Sequence, residues 1–222
     1  MDVFQPIALS LKLSLVTTLL LFLFGIPLSY WLSVTCLKVK PLIEAVVALP
    51  IVLPPTVLGF YILLAIGSNG PLGKLFEALF DQGLAFSFAG LVFGSFFYSL
   101  PFAIQPIQSA FESVDRRLVE ASWTMGKSKF ETFIRIIIPL SKRGLITGGV
   151  LSFAHTMGEF GVVLMVGGNI PGVTKVASIA IYDEVQAMNY SGANIISLAL
   201  LLLSFSVLLI VYMFNRKVVR AA

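Results

Sequence analysis

Five apolar runs, each long enough to cross the hydrocarbon core of a bilayer, constrain this chain more than any other feature of its sequence. A helix of about 20 residues spans about 30 Å of hydrocarbon, and residues 195–214 contain neither a charge nor a proline. Helices also satisfy their own backbone hydrogen bonds, as lipid requires. The sequence therefore predicts an all-α integral membrane protein with five transmembrane helices, at about residues 8–35, 42–66, 87–110, 144–167 and 194–215.

The composition excludes a soluble globular protein. Charged residues make up 12% of the 222 residues and hydrophobic residues 58%, whereas soluble domains carry about 25% charged residues. Five membrane-spanning helices take up more than half of a chain of this length. We therefore expect one membrane domain over residues 1–222, without a separate catalytic domain.

The basic residues predict the orientation of the spans. If the N-terminus is outside, Lys12, Lys74 and Lys175 lie on the outer side, and the other 12 of the 15 Lys and Arg residues lie inside. Such a bias follows the positive-inside rule. We therefore expect an outer N-terminus and a cytoplasmic C-terminus, whose tail carries Arg216, Lys217 and Arg220. The positive net charge indicates topology and not nucleic-acid binding.

The longest inner loop, residues 112–143, has the pattern of two helices joined by a glycine turn. Apolar residues recur at helical spacing before Gly126, and a second apolar face with Phe130 and Phe133 follows it and ends at Pro139. Exposed aromatic residues on such a pair need cover, either from the membrane domain or from a soluble partner. The loop is therefore a candidate docking surface.

This loop resembles the cytoplasmic signature of the permease subunits of ABC importers. That signature is E-A-A, three residues, G, nine residues and I-x-L-P, and here Ser122 stands for the second alanine and Ile138 for the leucine. The resemblance implies a type I ABC importer permease fold, with the loop docking in a groove of a separate ATPase subunit. The docking residues that it implies are Glu120, Ala121, Ser122, Gly126, Ile136 and Pro139.

Three further segments, residues 49–59, 158–161 and 168–172, are similar to the molybdate branch of these permeases. The likeness covers nearly the whole chain. It implies the translocation path of an ATP-driven oxyanion importer, with molybdate as the cargo and tungstate or sulfate as alternatives. It also places the protein in the plasma (inner) membrane of a prokaryote.

The same resemblance implies the partners of this chain. They are a second copy of the permease, two ATPase subunits, and a periplasmic or extracellular oxyanion-binding protein that docks on outer residues 67–86 and 169–192. ATP and Mg²⁺ would be bound by the ATPase, so this chain is expected to be no enzyme and to hold neither cofactor nor metal. The first outer segment is predicted to be a turn followed by a short amphipathic segment, and the second to contain a short helix at about residues 176–188.

Prolines interrupt the second predicted span at Pro50, Pro54 and Pro55. Proline lacks an amide hydrogen and leaves carbonyl groups unpaired, which at membrane depth is tolerated only against protein or a water-filled cavity. Two interpretations stay open, a lining of the translocation path and a packing kink. The residues predicted to line the path or its gate are Pro50, Pro54, Pro55, Thr56, Gly158, Glu159, Phe160 and Gly161.

The fourth predicted span combines small residues with one acid. Glycine or alanine one turn apart, at 144/148 and 154/158, predicts close helix packing. Glu159 is the one acid predicted inside a span, and His155 is expected on the same helix face four residues earlier. An ionised carboxylate repels an anionic cargo, so we expect a structural or gating role for Glu159, with a proton relay as the alternative.

Two other classes of membrane protein fit less well. An ion-coupled transporter that works alone typically has several intramembrane charges and inverted repeats, whereas only His155 and Glu159 qualify here. An intramembrane metalloprotease needs clustered ligands such as H-E-x-x-H, and the chain has one histidine.

Overall fold

The computed structural model describes residues 3–220, with side chains described up to residue 213, so the basic residues of the C-terminal tail lie outside the described side chains. All regular elements of the described part are helical. The helices are α1 (Phe4–Val34), α2 (Lys40–Val52), α3 (Pro55–Ile66), α4 (Pro71–Phe80), α5 (Phe88–Glu112), α6 (Arg116–Thr124), α7 (Lys129–Thr132), a π-helical turn (Phe133–Ile137), α8 (Ile138–Leu140), α9 (Lys142–Met157), α10 (Gly161–Gly167), α11 (Ala177–Gln186) and α12 (Tyr190–Arg220).

Three of the described helices are long and apolar enough to cross a membrane, namely α1, α5 and the Tyr190–Met213 part of α12. Two bent pairs raise the number to as many as five. The first pair is α2 with α3, bent by 115°, and the second is Lys129–Leu140 with α9, bent by 71°. The predicted all-α membrane architecture is confirmed. The helix predicted in the second outer segment is present as α11, and the amphipathic part of the first outer segment is also helical, as α4.

The second predicted span is broken at Pro54. Leu53 and Pro54 adopt extended ψ angles of 138° and 135°, because a residue before proline is disfavoured in helical conformation. Pro55 then begins α3, where the missing amide hydrogen costs nothing. Pro50, in contrast, stays inside α2 and is buried, so the expectation that it also interrupts the span is wrong.

The fourth predicted span, 144–167, is not one helix. α9 ends at Met157 and α10 begins at Gly161, and Gly158 ends the first helix with φ −93° and ψ 1°. The Glu159 carbonyl, which the break frees, accepts a hydrogen bond of 2.5 Å from Ser178 Oγ on α11. A neighbouring side chain thus replaces a hydrogen bond that the helix would have made.

α5 is the centre of the bundle and packs against α1, α2, α3, α9 and α10. α9 approaches it through glycine: a Cβ placed at Gly144 would lie 2.2 Å from Ala110 Cβ, and one at Gly148 would lie 2.9 Å from the Ala103 carbonyl oxygen. The predicted close packing at 144/148 is therefore confirmed. The pair 154/158 makes no such close contact with another helix. A Cβ at Gly158 would have as its nearest neighbour the carbonyl oxygen of Ala154 on the same helix, at 3.9 Å.

Replacing Gly144 by alanine is expected to destabilise the bundle. The added methyl group collides with Ala110 and forces α9 away from α5, and overpacking of this kind costs about 1–3 kcal/mol. Thermal unfolding of the purified protein in detergent measures the effect. Thr147→Val is the matched control because residue 147 lies on the exposed side of the same helix, and an equal loss of stability in both variants would contradict the packing argument.

Candidate functional site

The two helix breaks meet at one cavity of about 630 Å³. Six of the eight residues predicted to line the path or its gate surround this cavity together with Tyr98 and His155. The remaining two, Pro50 and Pro54, do not line it. Pro50 is buried within α2, and Pro54 is exposed at the break between α2 and α3. The six residues are Pro55, Thr56, Gly158, Glu159, Phe160 and Gly161.

Close contact between the breaks gives the cavity its shape. A Cβ at Gly161, the first residue of α10, would lie 2.6 Å from Pro55 Cβ, at the first turn of α3. Further along, a Cβ at Gly59 would lie 2.8 Å from Met165 Cβ. Real Cβ atoms essentially never approach so closely, so α3 and α10 touch only because glycine is present at these two positions.

His155 is held in place on the wall of the cavity. Its Nδ1 lies 2.9 Å from Ser99 Oγ, which lies 2.8 Å from Thr156 Oγ1. The imidazole stacks on Phe102 with ring centroids 4.0 Å apart and 24° between the planes, and Tyr98 lies at 4.6 Å. One hydrogen bond and two aromatic neighbours therefore fix the orientation of the ring.

Glu159 is buried at the break, with 4% of its surface exposed. Among the described residues, neither carboxyl oxygen makes a hydrogen bond of good geometry; the buried Ser95 hydroxyl lies near the carboxyl but is not aligned for such a bond. A buried carboxyl group without partners is costly. The prediction that Glu159 and His155 share one helix face is wrong, because α9 ends at Met157 and Glu159 lies beyond the helix.

The cavity contains neutral hydrogen-bond donors, and no Lys or Arg side chain from the described part of the chain lines it. α3 begins here, and its first amide hydrogen belongs to Thr56 because Pro54 and Pro55 have none. The first turn of a helix carries partial positive charge. The cavity therefore offers an anion weak contacts and no strong binding site.

The predicted pair of cytoplasmic helices is present as α6 and α7, which are joined at Gly126 with φ +80°. Ser122 is buried, and its Oγ lies 2.9 Å from Thr132 Oγ1, which ties the two helices together. Of the remaining residues in the implied docking set, four are exposed and one is half-buried. The exposed residues are Glu120, Ala121, Gly126 and Pro139, and Ile136 is half-buried in the π-helical turn.

Apolar side chains cluster on the surface of this helix pair. Trp123 is 44% exposed, Met125 72% and Phe130 76%. Beside them, Lys127 Nζ lies 2.8 Å from Glu131 Oε1, and this hydrogen bond holds the pKa of the Glu131 carboxyl below its usual range. An exposed apolar patch with a charged rim is typical of a protein interface.

The sequence alone did not indicate a role for Tyr98, Ser99 and Phe102. They lie on α5, more than 50 residues before His155. Tyr98 lines the cavity, and Ser99 and Phe102 contact the His155 ring, only because α9 packs against α5. The sequence also did not indicate a polar cluster at the C-terminal end of α5, where Lys40 Nζ lies 3.2 Å from Glu112 Oε1 and Gln108 Nε2 donates to Glu44 Oε1 at 2.6 Å. No local sequence pattern indicates either group.

Comparison with known proteins gives relatives that match nearly the whole chain. The chain is 48% identical over 210 residues to "Molybdenum transport system permease protein ModB" of Azotobacter vinelandii, covering 95% of this chain and 93% of that protein. It is 33% identical over 216 residues to "Probable sulfate transport system permease protein cysT" of Prototheca wickerhamii, covering 95% of this chain and 83% of that protein.

The fold is also similar to that of solved ABC transporters. The crystal structure of a bacterial ABC transporter involved in the import of the acidic polysaccharide alginate matches with a TM-score of 0.77 at 16% identity, over 98% of this chain and 80% of that chain. The predicted importer permease fold is thus confirmed. A family model described as "Binding-protein-dependent transport system inner membrane component" matches residues 15–220. The chain therefore belongs to this family of membrane-embedded transport components.

Proposed function

We propose that this chain is the permease subunit of an ATP-driven importer and forms the membrane path for molybdate. The observation that carries the proposal is the 48% identity to the molybdenum permease of Azotobacter vinelandii, which extends over 95% of this chain. The cavity between the helix breaks supports it. Its neutral donors suit an anion that must be released again, because a tightly binding site would slow conduction.

The energy for transport comes from a separate ATPase subunit, which binds ATP and Mg²⁺ and carries out the hydrolysis. The exposed surface around Trp123 and Phe130 supports this proposal because it presents an apolar patch on a rigid helix pair. By the resemblance, Glu120 and Gly126 act in docking and in the turn. The loop 112–143 and the C-terminus accordingly face the cytoplasm, and the N-terminus lies outside.

The working unit is a homodimer of permease subunits with two ATPase subunits, because so few spans enclose a path only in pairs. The outer segments 67–86 and 169–192 receive the oxyanion-binding protein. In the second segment, Asn169 and Lys175 both bond to the Asp183 carboxylate, the lysine at 2.5 Å. These contacts fix the loop against α11 and give it a defined surface for docking.

Access to the cavity alternates through movement at the helix breaks. Residues Leu53 and Pro54 join α2 to α3, and Gly158 to Phe160 join α9 to α10. Helices bend at proline and glycine, where the ladder of backbone hydrogen bonds is already interrupted. A movement at such a break therefore disrupts few hydrogen bonds. Since α3 and α10 contact each other at Pro55 and Gly161, a movement of one break is transmitted to the other.

Tungstate or sulfate is the alternative cargo of the same importer. The sulfate-named relative supports it less well, at 33% identity against 48%. A transporter that works alone, driven by an ion gradient, is a further alternative of a different class. The cavity supports it poorly, because His155 and Glu159 are its only acid and imidazole groups among the described residues.

Reconstitution tests the proposal. The permease is purified with its ATPase subunit and inserted in liposomes, and the oxyanion-binding protein loaded with radioactive molybdate is added outside. We expect uptake that needs ATP and both partner proteins, and that unlabelled tungstate suppresses more strongly than sulfate. Uptake without the ATPase would contradict the proposal, and preferential uptake of sulfate would reassign the cargo.

A further inference from the structure

We propose that His155 contacts the cargo, and that its Nε2–H donates a hydrogen bond to the oxyanion as the anion crosses the cavity between the helix breaks. This inference rests on the proposed function and deepens it, because it names a residue that recognises the anion within the membrane. Four features carry it: the position of the ring, its hydrogen-bond partners, its aromatic neighbours and the chemistry of the other groups around the cavity.

Nε2 is the ring nitrogen of His155 that an ion in the cavity can reach. His155 lines the cavity, and its Nδ1 is engaged by Ser99 Oγ at 2.9 Å. Nε2 bonds to no residue that the structure describes. Stacking on Phe102 and contact with Tyr98 hold the ring in this orientation, so Nε2 is the nitrogen available to an ion in the cavity.

The partners of Nδ1 determine which nitrogen of the neutral His155 ring carries the proton. Ser99 lies between Thr156 Oγ1 at 2.8 Å and His155 Nδ1 at 2.9 Å, and both Ser99 and Thr156 are buried. When Thr156 donates to Ser99 and Ser99 donates to Nδ1, the proton of the neutral ring resides on Nε2. Nε2 then faces the cavity as a donor. Ser99 is thus a positioning residue that acts through His155.

The chemistry of the oxyanion determines which groups around the cavity can contact it. A tetrahedral oxyanion presents only acceptor oxygens, so its contacts in the cavity are donors. Besides Nε2–H, two residues with hydroxyl groups, Tyr98 and Thr56, line the cavity. Thr56 lies in the first turn of α3, which carries partial positive charge. Glu159 is the one acidic residue that lines the cavity among the described residues. Both of its carboxyl oxygens are buried, so they are not exposed to an ion in the cavity and His155 remains the side chain that meets it.

Two substitutions at one position separate the hydrogen bond from the shape of the ring. His155→Phe keeps an aromatic ring that stacks on Phe102 but has no N–H, whereas His155→Gln loses the ring and retains a donor near the position of Nε2. Each variant is reconstituted with the ATPase subunit, and uptake of radioactive molybdate and hydrolysis of ATP are measured in parallel.

We expect His155→Phe to lower the molybdate taken up per ATP hydrolysed by about tenfold, the scale of one lost hydrogen bond to a charged group. His155→Gln is expected to recover most of this loss. Ser99→Ala is expected to lower uptake in the wild-type background and to cause no further loss in the His155→Phe background, because its effect requires the imidazole.

The outcomes distinguish this contact from the proposed function. No ATP-driven uptake of molybdate, tungstate or sulfate by the wild-type complex overturns the proposed function and the contact with it. Wild-type uptake that persists in His155→Phe overturns the contact alone, as does a His155→Gln variant that is as impaired as His155→Phe. If His155→Phe fails to assemble with the ATPase, Ser99→Ala decides, and unchanged uptake in that variant overturns the contact.

Discussion

Replacing Gly161 with valine is expected to abolish uptake of the oxyanion. Even the first added carbon would lie 2.6 Å from Pro55 Cβ, and the proline ring cannot rotate away as a flexible side chain can. α10 must therefore separate from α3, which opens the cavity and uncouples the two helix breaks. The measurements are ATP-dependent uptake in liposomes and thermal unfolding in detergent, where overpacking of a tight contact costs about 1–3 kcal/mol.

Gly25→Ala is the matched control for this variant. A Cβ at Gly25 would lie 3.8 Å from Ile104 Cγ1, which is an ordinary contact distance. Gly25 is buried within α1, so the control adds a methyl group to a tight helix interface without a collision. Normal uptake by Gly161→Val would contradict the contact between the breaks, and an equal loss in Gly25→Ala would show that any enlarged glycine disturbs the bundle.

The long helices of this fold were predictable because a bilayer imposes a length requirement that a single sequence reveals. α1, α5 and α12 each cover a predicted span. The break at Pro54 was predictable for a local reason, since proline removes an amide hydrogen wherever it stands. The break after Met157 was not, because glycine is common in intact membrane helices and the group that replaces the lost hydrogen bond, Ser178, comes from another helix.

The site was predictable in part for the same reasons. Polar or helix-breaking residues in apolar runs are conspicuous, so Thr56, Glu159 and four neighbours could be named from the sequence, and they line one cavity. Ser99 is inconspicuous, because a serine in a membrane helix often serves packing alone. It reaches His155 only through the approach of α9 to α5 at Gly144 and Gly148, a contact that sequence spacing indicates without naming the partner helix.

Trp123→Ala is expected to lower the affinity of the permease for its ATPase subunit by about tenfold or more, while the free energy of unfolding stays unchanged. Tryptophan at the centre of an interface is a frequent source of binding energy, and its truncation commonly costs about 2 kcal/mol or more. Trp123 is 44% exposed on α6, next to Met125. The helix pair beneath it is held by the Ser122–Thr132 hydrogen bond, so the side chain is presented with little loss of conformational freedom.

Binding of the ATPase subunit to the detergent-solubilised permease, followed by titration, measures this effect. Phe205→Ala is the matched control, because Phe205 is an aromatic residue with 60% exposure on α12, within the predicted fifth span. Lost affinity with unchanged unfolding means that Trp123 contributes to the contact with the partner and not to the folding of the helix pair. Unchanged affinity in Trp123→Ala would contradict the expectation that Trp123 is a main source of binding energy in this interface, since a few residues carry most of that energy.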